Sequence, residues 1–482
     1  MNYREIDKNI SKFLSEWYND DSLEILSLLK LSLSKEILSS MFQEYFKKKN
    51  KFYLGYRNFG GVIWTIKKAI WFFLWGLKWF LFLKIKKDKK VLLVALGSNI
   101  GSIDIYLKQV SEIADKNNCV IVSLNLIESF SYLKHHQLFY FPRFFYAKNQ
   151  FANQAKINNF ATNIFHSIQI LKEKYNLHFS LNSKSLIRPI ESLLIDYSAF
   201  SYLITKLILP NQIVGLIQDY DYTYNKLIYY KIANSNHIKT LAIDCSIPLY
   251  QHLYKKFFSD YHLIWGEYKK KFLLENNLIS DKNIIEIGKP LKQKKSNKRL
   301  INNGNLWLYI AQSYSDPSMF LSSRDYFSFE LNVKILSEFQ KNNYPKDRFI
   351  IKNHPADKSA NLYVQDIKSV YDSLDDLINK ARIIFVEDST LAIELYAKNL
   401  PIVYIYDALG NDNIGLANDG LIFGINTAKN FDLVIKNIFE KKEDFQSKNY
   451  KETLSYYFGN FVDNNFQIVI EEILFSDKSH QI

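Results

Sequence analysis

From Lys89 to Pro290, and again from residue 301 to about residue 440, short apolar runs stop abruptly at glycine or polar turns and give way to amphipathic stretches. The segment "KKVLLVALGSNIGSIDIYLKQVSEIADKNNCVIVSLN" shows the unit: a strand, a Gly/Ser/Asn loop, an amphipathic helix and a second strand. Strands without polar alternation are covered on both faces, so the unit reads as βαβ in a parallel sheet. "HIKTLAIDCSIP", "YHLIWGEYKKKFLLENNLI" and "NIIEIGKP" continue the series. After the turn-rich, charged "LKQKKSNKRLINNGN" a second series begins with "LWLYIAQS", a long helix near 324–342 and "RFIIKNHP". A helix around 371–380, "ARIIFVEDS", a helix over 390–398 and "PIVYIYD" follow. The expected fold is α/β, with two Rossmann-like doubly wound domains facing a cleft and an N-terminal helical extension.

The boundaries that follow are a helical extension over 1–60, an amphipathic helix over 61–87, and a first domain over 88–290. A linker over 291–300, a second domain over 301–440 and C-terminal helices over 441–482 complete the chain. At 482 residues the length suits two or three domains. The two cysteines, Cys119 and Cys245, allow at most one bridge and no Cys-rich metal site, which suits a reducing compartment. The polar start "MNYREIDKNISKF" carries no secretory pattern. The loop Gly97-Ser98-Asn99-Ile100-Gly101 lacks the third glycine and the later acid of a dinucleotide fingerprint.

A net charge of +13 invites a nucleic-acid partner, but its location argues otherwise. Residues 47–90 hold thirteen Lys and Arg against the single acid Asp88, so almost all of the excess sits there. No RNA-binding or zinc-finger spacing accompanies it. The basic segment instead contains "GVIWTIKKAIWFFLWGLKWFLFLKIKK", residues 61–87. On a helix, Lys67, Lys68 and Lys78 share one side with Trp64, Trp71 and Trp75, with Trp79 close by. Ile63, Ile66, Ile70, Phe73, Leu74, Leu77, Phe80 and Leu81 cover the other side. Indoles and lysine heads above an aliphatic face suit a helix lying in the headgroup layer of an anionic membrane. A spanning helix is disfavoured, because Ala69 to Leu83 is short of the roughly 20 residues needed and contains Lys78. A buried core helix would have to hide three lysines.

Ligands of open parallel sheets bind where strands end, so the strand ends carry the functional reading. "IIKNHP" places Lys352, Asn353 and His354 at such an end, and Pro355 keeps His354 extended. A lysine and an imidazole there suit a phosphate or a leaving group gaining negative charge. "RIIFVEDSTLAIELYAKNLPIV" runs from a strand into a helix capped by Ser389 or Thr390, an anion-binding arrangement. Glu394, a turn further on, is placed to accept bonds from two vicinal hydroxyls. Each feature alone is equally served by a solvated loop and an ordinary cap.

The pairing of "K-x-HP" with "(E/D)-D-S-(S/T)…E…(N/K)-x-P-(I/V)" about 35 residues later resembles the C-terminal half of GT-B glycosyltransferases. The resemblance is greatest to bacterial capsule and lipopolysaccharide enzymes with CMP- or CDP-activated donors: sialyl- and Kdo-transferases, and glycerol-phosphate transferases of the teichoic-acid type. "SDYHLIWGEYKKKFLLENNLISDKNIIEIGKP" is similar to the end of their first domain, and the likeness spans roughly residues 90–430. It implies that His354 contacts donor phosphate, Ser389 and Thr390 bind phosphate at the helix start, and Glu394 holds the ribose. Many relatives carry Gln-His-Gly where this chain has Asp244-Cys245-Ser246, a departure on the acceptor side.

An inverting transfer needs a base on the first domain, across from the donor. Asp219, Asp221 and Asp244 end their strands suitably, and His135 and His136 are weaker choices. "DYD" imitates a metal-binding DxD, but that motif belongs to a single-domain fold, so no metal and no other cofactor is expected. The reading is a metal-independent glycosyltransferase, peripheral on the cytoplasmic face of the inner membrane, using a nucleotide-sugar donor (CMP-sugar favoured). It would extend a saccharide or lipid-linked saccharide acceptor of a surface polysaccharide, with no nucleic-acid partner. A sugar-nucleotide epimerase of the same architecture and a non-catalytic scaffold of a polysaccharide assembly complex are the alternatives.

Overall fold

The computed structural model describes residue 12 and residues 57–86, 89–96, 103–126, 130–142, 146, 154–176, 183–219, 224–244 and 259–289. Beyond the linker it describes 304–311, 326–354, 367, 369–370, 372–387, 390–396, 400, 402–406, 412, 415–418, 421–427, 429, 431–441, 450–460 and 465–476. The expected N-terminal extension, apart from Lys12 and the start of the helix at Arg57, lies outside these residues.

Two parallel sheets form, one in each expected domain. The first holds β1 (Lys90–Ala95), β2 (Cys119–Ser123), β3 (Leu138–Tyr140), β4 (Ile213–Asp219), β5 (Thr240–Ile243), β6 (Tyr261–Ile264) and β7 (Ile284–Glu286). Its order is β3-β2-β1-β4-β5-β6-β7. The second holds β8 (Leu306–Ile310), β9 (Arg348–Lys352), β10 (Ser369–Val370), β11 (Ala381–Val386), β12 (Ile402–Ile405) and β13 (Phe423–Ile425). Its order, β10-β9-β8-β11-β12-β13, repeats that of the first six strands of the first sheet. In both sheets the order reverses beside the first strand, between β1 and β4 and between β8 and β11. There neighbouring crossovers leave on opposite faces and open a crevice at the carboxyl ends. The two-domain α/β architecture expected from the alternation is therefore present.

The strands are apolar throughout because both faces are covered: β2 and β8 are buried at every position. Tight reversals return the helices to the sheets. Asn118 and Asn277, with φ of 51°, and His237, with φ of 56°, turn the chain in the left-handed region at helix ends. Helix α1 (Arg57–Ile85) precedes β1, and α2 (Ile103–Lys116) crosses from β1 to β2. The short α3 (Phe130–Lys134) leads to β3, and α4 (Gln154–Lys174) and α5 (Ser183–Tyr202) fill the long crossover to β4. Helices α6 (Tyr224–Ser235) and α7 (Glu267–Glu275) complete the first unit. The second unit carries α8 (Tyr326–Asn343), α9 (Leu374–Ile378), α10 (Thr390–Tyr396) and α11 (Phe431–Lys441).

The last helices return to the first domain. Helix α12 (Tyr450–Phe458) ends at Gly459, whose φ of +65° and contact with the Trp265 carbonyl leave no room for a side chain. Helix α13 (Asn465–Phe475) lies on the first sheet, where Leu474 fills the space above Gly215. Lys116 pairs with Glu471 at 2.6 Å, and Lys239 donates to the Ile473 carbonyl at 2.7 Å.

Helix α1 corrects one expectation. The tryptophan side faces the protein: Trp71, Trp75 and Trp79 are buried, at most 6% exposed. The Trp79 indole packs on Phe82, Phe141 and Tyr146 and donates to the Tyr146 hydroxyl at 2.7 Å. Lys78 lies over Trp75 and Phe139 and donates to the carbonyls of Leu133 and His135. Rings on the sheet, the Tyr146 hydroxyl and the carbonyls of Leu133 and His135 together satisfy the indole N–H and the ammonium, so this face docks inward. The outward face is the apolar one, with Phe73 66% and Phe80 63% exposed beside Ile70, Leu77 and Leu81. The side chains of Trp64, Lys67 and Lys68 lie outside the described residues, although their backbone is helical. Among the described residues no helix is long and apolar enough to cross a membrane.

Candidate functional site

The carboxyl rims of the two sheets meet through charge. Lys289, in the loop after β7, donates to the carboxylate of Glu394 in α10, the helix that follows β11. The lysine emerges just after Gly288, whose φ of 72° turns the chain out of the strand. Its ammonium sits 4.4 Å from the centroid of Trp265 and 4.5 Å from that of Phe458. Two aromatic faces and a carboxylate compensate a cation taken out of water. Burial pushes the Lys289 pKa down, while the Glu394 and Asp244 charges hold it up.

Asp244, directly after β5, adds a second pair. Its carboxylate lies 3.2 Å from the ammonium of Lys269 in the first turn of α7, with both side chains only 3% exposed. Lys269, Asp244, Lys289 and Glu394 thus form an alternating line of charge from the rim of the first sheet to the helix after β11. A carboxylate so paired and enclosed is shielded from an incoming hydroxyl, a better anchor than a proton acceptor. Asp219 is placed differently: it ends β4 beside β1, at the order reversal of the first sheet, and is buried. Asp221 lies outside the described residues.

The rim of the second sheet is built from three strand ends. Glu387 follows β11 at the order reversal, and the hydroxyl of Tyr309 on β8 donates to its carboxylate. His354 follows β9 and is half-buried. Lys352 turns back onto its own strand end, donating to the Asn353 carbonyl at 2.9 Å, and burial lowers its pKa against the opposing charge of Asp372. Between them, the Asn353 side-chain amide is buried, and among the described residues neither its oxygen nor its nitrogen is hydrogen-bonded. Buried polar groups are nearly always paired, and an orphan marks a place for a ligand or water. Thr390 begins α10, but its side chain and the whole of Ser389 lie outside the described residues.

The sequence reading thus finds Asp244, His354 and Glu394 on facing rims, and Lys352 turned into its own strand. His135 and His136 precede β3 and lie at the opposite, amino edge of the first sheet, far from these rims in topology. Lys289 and Lys269 were not singled out from the sequence. Lys289 had a signal, a lysine after the glycine that ends the strand in "NIIEIGKP", whereas Lys269 is one of three consecutive lysines with nothing local to mark it.

The family model described as "Capsule polysaccharide biosynthesis protein" matches residues 225–406. No curated protein matches the chain. Among solved structures, the chain is similar to a glycosyltransferase from Rickettsia africae, with 13% identity, 81% of this chain and 100% of that one covered, and a TM-score of 0.42. It is similar to the UDP-GlcNAc 2-epimerase of Neisseria meningitidis, with 14% identity, 80% and 99% covered, and a TM-score of 0.43. It is likewise similar to Arabidopsis thaliana UGT89C1, with 11% identity, 80% and 100% covered, and a TM-score of 0.46. Likeness this loose carries nothing about activity from those proteins to this one.

Proposed function

We propose that the chain is a glycosyltransferase of surface polysaccharide synthesis, taking a nucleotide-activated sugar in the crevice between its two sheets. The observation that carries this reading is where the capsule-biosynthesis match falls. Residues 225–406 contain Asp244, Lys269, Lys289, Asn353, His354, Glu387 and Glu394, with Asp219 just before the match. In this reading the nucleotide lies on the second sheet. Glu394 accepts the ribose hydroxyls with Lys289 beside it, and the His354 imidazole and Asn353 amide face the phosphates. A cation and a protonatable ring near a departing nucleotide offset the charge that grows on it. Asp219, on the acceptor side, takes the proton of the attacking hydroxyl; Asp244 positions Lys269 and Lys289 instead.

The same reading places the protein on a bilayer. The exposed Ile70, Phe73, Leu77, Phe80 and Leu81 face of α1 enters the acyl boundary, and the basic residues clustered over 47–90 meet anionic headgroups. This arrangement suits a lipid-linked acceptor and the cytoplasmic membrane face. A CMP-sugar is the favoured donor.

Isothermal titration of the full chain with CMP, CDP and UDP tests the pocket. At least one should bind, and Glu394→Gln and Asn353→Leu should each weaken it about tenfold, the scale of one lost hydrogen bond to a charged or buried partner. No binding of any of the three refutes the pocket.

A further inference from the structure

At the amino edge of the first sheet, on the side away from the crevice, three metal-ligating side chains converge. Asp115 sits in the last turn of α2, and His135 and His136 lie in the turn between α3 and β3. One Asp115 oxygen is 3.7 Å from His135 Nε2 and the other is 3.9 Å from His136 Nε2. The two rings stack at 5.5 Å with an interplanar angle of 6°, and each presents its Nε2 to the Asp115 carboxylate. One ligating atom from each of the three lies within 4.8 Å of the others.

We propose that Asp115, His135 and His136 bind a divalent transition cation of the zinc class. Ligands about 2.0–2.1 Å from a tetrahedral ion stand roughly 3.3 Å apart, so the two carboxylate–imidazole spacings need to close by about half an ångström and no pair by more than about 1.5 Å. His136 and Asp115 are exposed enough to make that move, with side chains 76% and 45% accessible. Two imidazoles and one carboxylate select zinc, cobalt or nickel over magnesium or calcium, which prefer all-oxygen sites. Water completes the coordination, as three protein ligands leave a position open.

The ion ties the end of α2 to the loop that holds α1. The carbonyls of Leu133, at the end of α3, and His135, in that turn, accept from the ammonium of Lys78, so the clip reinforces the seat of α1 on the sheet. Nothing in this site depends on the reading of the crevice, which lies at the other ends of the strands.

The test is zinc titration of untagged full-length protein by calorimetry, with cobalt substitution followed by visible absorption. The wild-type chain should bind one zinc ion, show cobalt d–d bands and melt at a higher temperature with zinc. His136→Asn, at an exposed position, should keep the zinc-free melting temperature but weaken zinc at least about tenfold and lose the cobalt bands. Asp115→Asn should do the same. Absence of zinc binding by the wild type, or unchanged affinity and bands in the His135→Asn/His136→Asn double variant, overturns the proposal.

Discussion

The Lys289 ammonium bonds the Glu394 carboxylate between Trp265 and Phe458, and so fastens the last strand of the first sheet to the helix after β11 of the second. The pair is unequally enclosed, the lysine side chain 7% exposed and the glutamate 38%. Removing the glutamate strands a buried cation, whereas removing the lysine leaves a carboxylate that water can reach. Breaking a fully buried pair costs about 3–5 kcal/mol, and exposure of the glutamate reduces that figure here. Glu394→Ala should therefore destabilise clearly more than Lys289→Met, whose apolar replacement fits the aromatic slot. Urea unfolding of both and of the double variant measures this. Equal losses would contradict the described burial.

Asn353 offers a test in which stability and binding move in opposite directions. Its amide is buried without partners among the described residues, and replacing an unsatisfied buried polar group relieves about 1–3 kcal/mol. Asn353→Leu should raise the thermal midpoint of the unliganded protein while lowering affinity for the nucleotide. A fall in stability would mean that the amide is already satisfied.

Helix α1 supplies a third prediction. Phe73, Leu77 and Phe80 are each more than half exposed, so a Phe73→Glu/Leu77→Glu/Phe80→Glu variant should fold as the wild type does. It should fail to sediment with vesicles rich in phosphatidylglycerol, because the acyl-facing stripe and the attraction to anionic lipid are both removed. Unchanged sedimentation would rule this face out as the membrane contact.

Lys78 makes a pH signature. Burial pushes its pKa down from 10.5 to about 8. Between those values the unfolded chain holds a proton that the folded chain has released, so stability rises with pH across that window. Lys78→Met should flatten the rise between pH 8 and 10, whatever it does to absolute stability through the carbonyls of Leu133 and His135. An unchanged slope in thermal melts would mean that the ammonium stays protonated.

Much of this was legible in the sequence because apolar runs and their stops are local. The strands around "VLLVAL", "LWLYIA", "FIIK" and "IIFV" fell where the pattern put them. The edge strands Leu138–Tyr140, Ser369–Val370 and Phe423–Ile425 did not, since two or three residues carry no period. The two faces of α1 were also legible, but not which faced inward. Periodicity separates faces, and only the rings of Phe139, Tyr140 and Phe141 on the sheet decide that the tryptophans dock there. Likewise Asp244 read as a free strand-end acid because its partner Lys269 comes from the next strand's helix. The return of α12 and α13 to the first domain rests on contacts such as Gly459 with Trp265, which no local pattern announces.

Donor turnover tests the central claim most directly. Purified full-length protein, given CMP-, CDP- and UDP-sugars with a lipid-linked saccharide acceptor, should release nucleotide from one of them. Release should fall at least about a hundredfold in His354→Ala, within the usual range for losing one group that stabilises developing charge, and should need the acceptor. Release from none of the donors above the His354→Ala background, or conversion of a donor sugar without any acceptor, would contradict the transferase reading.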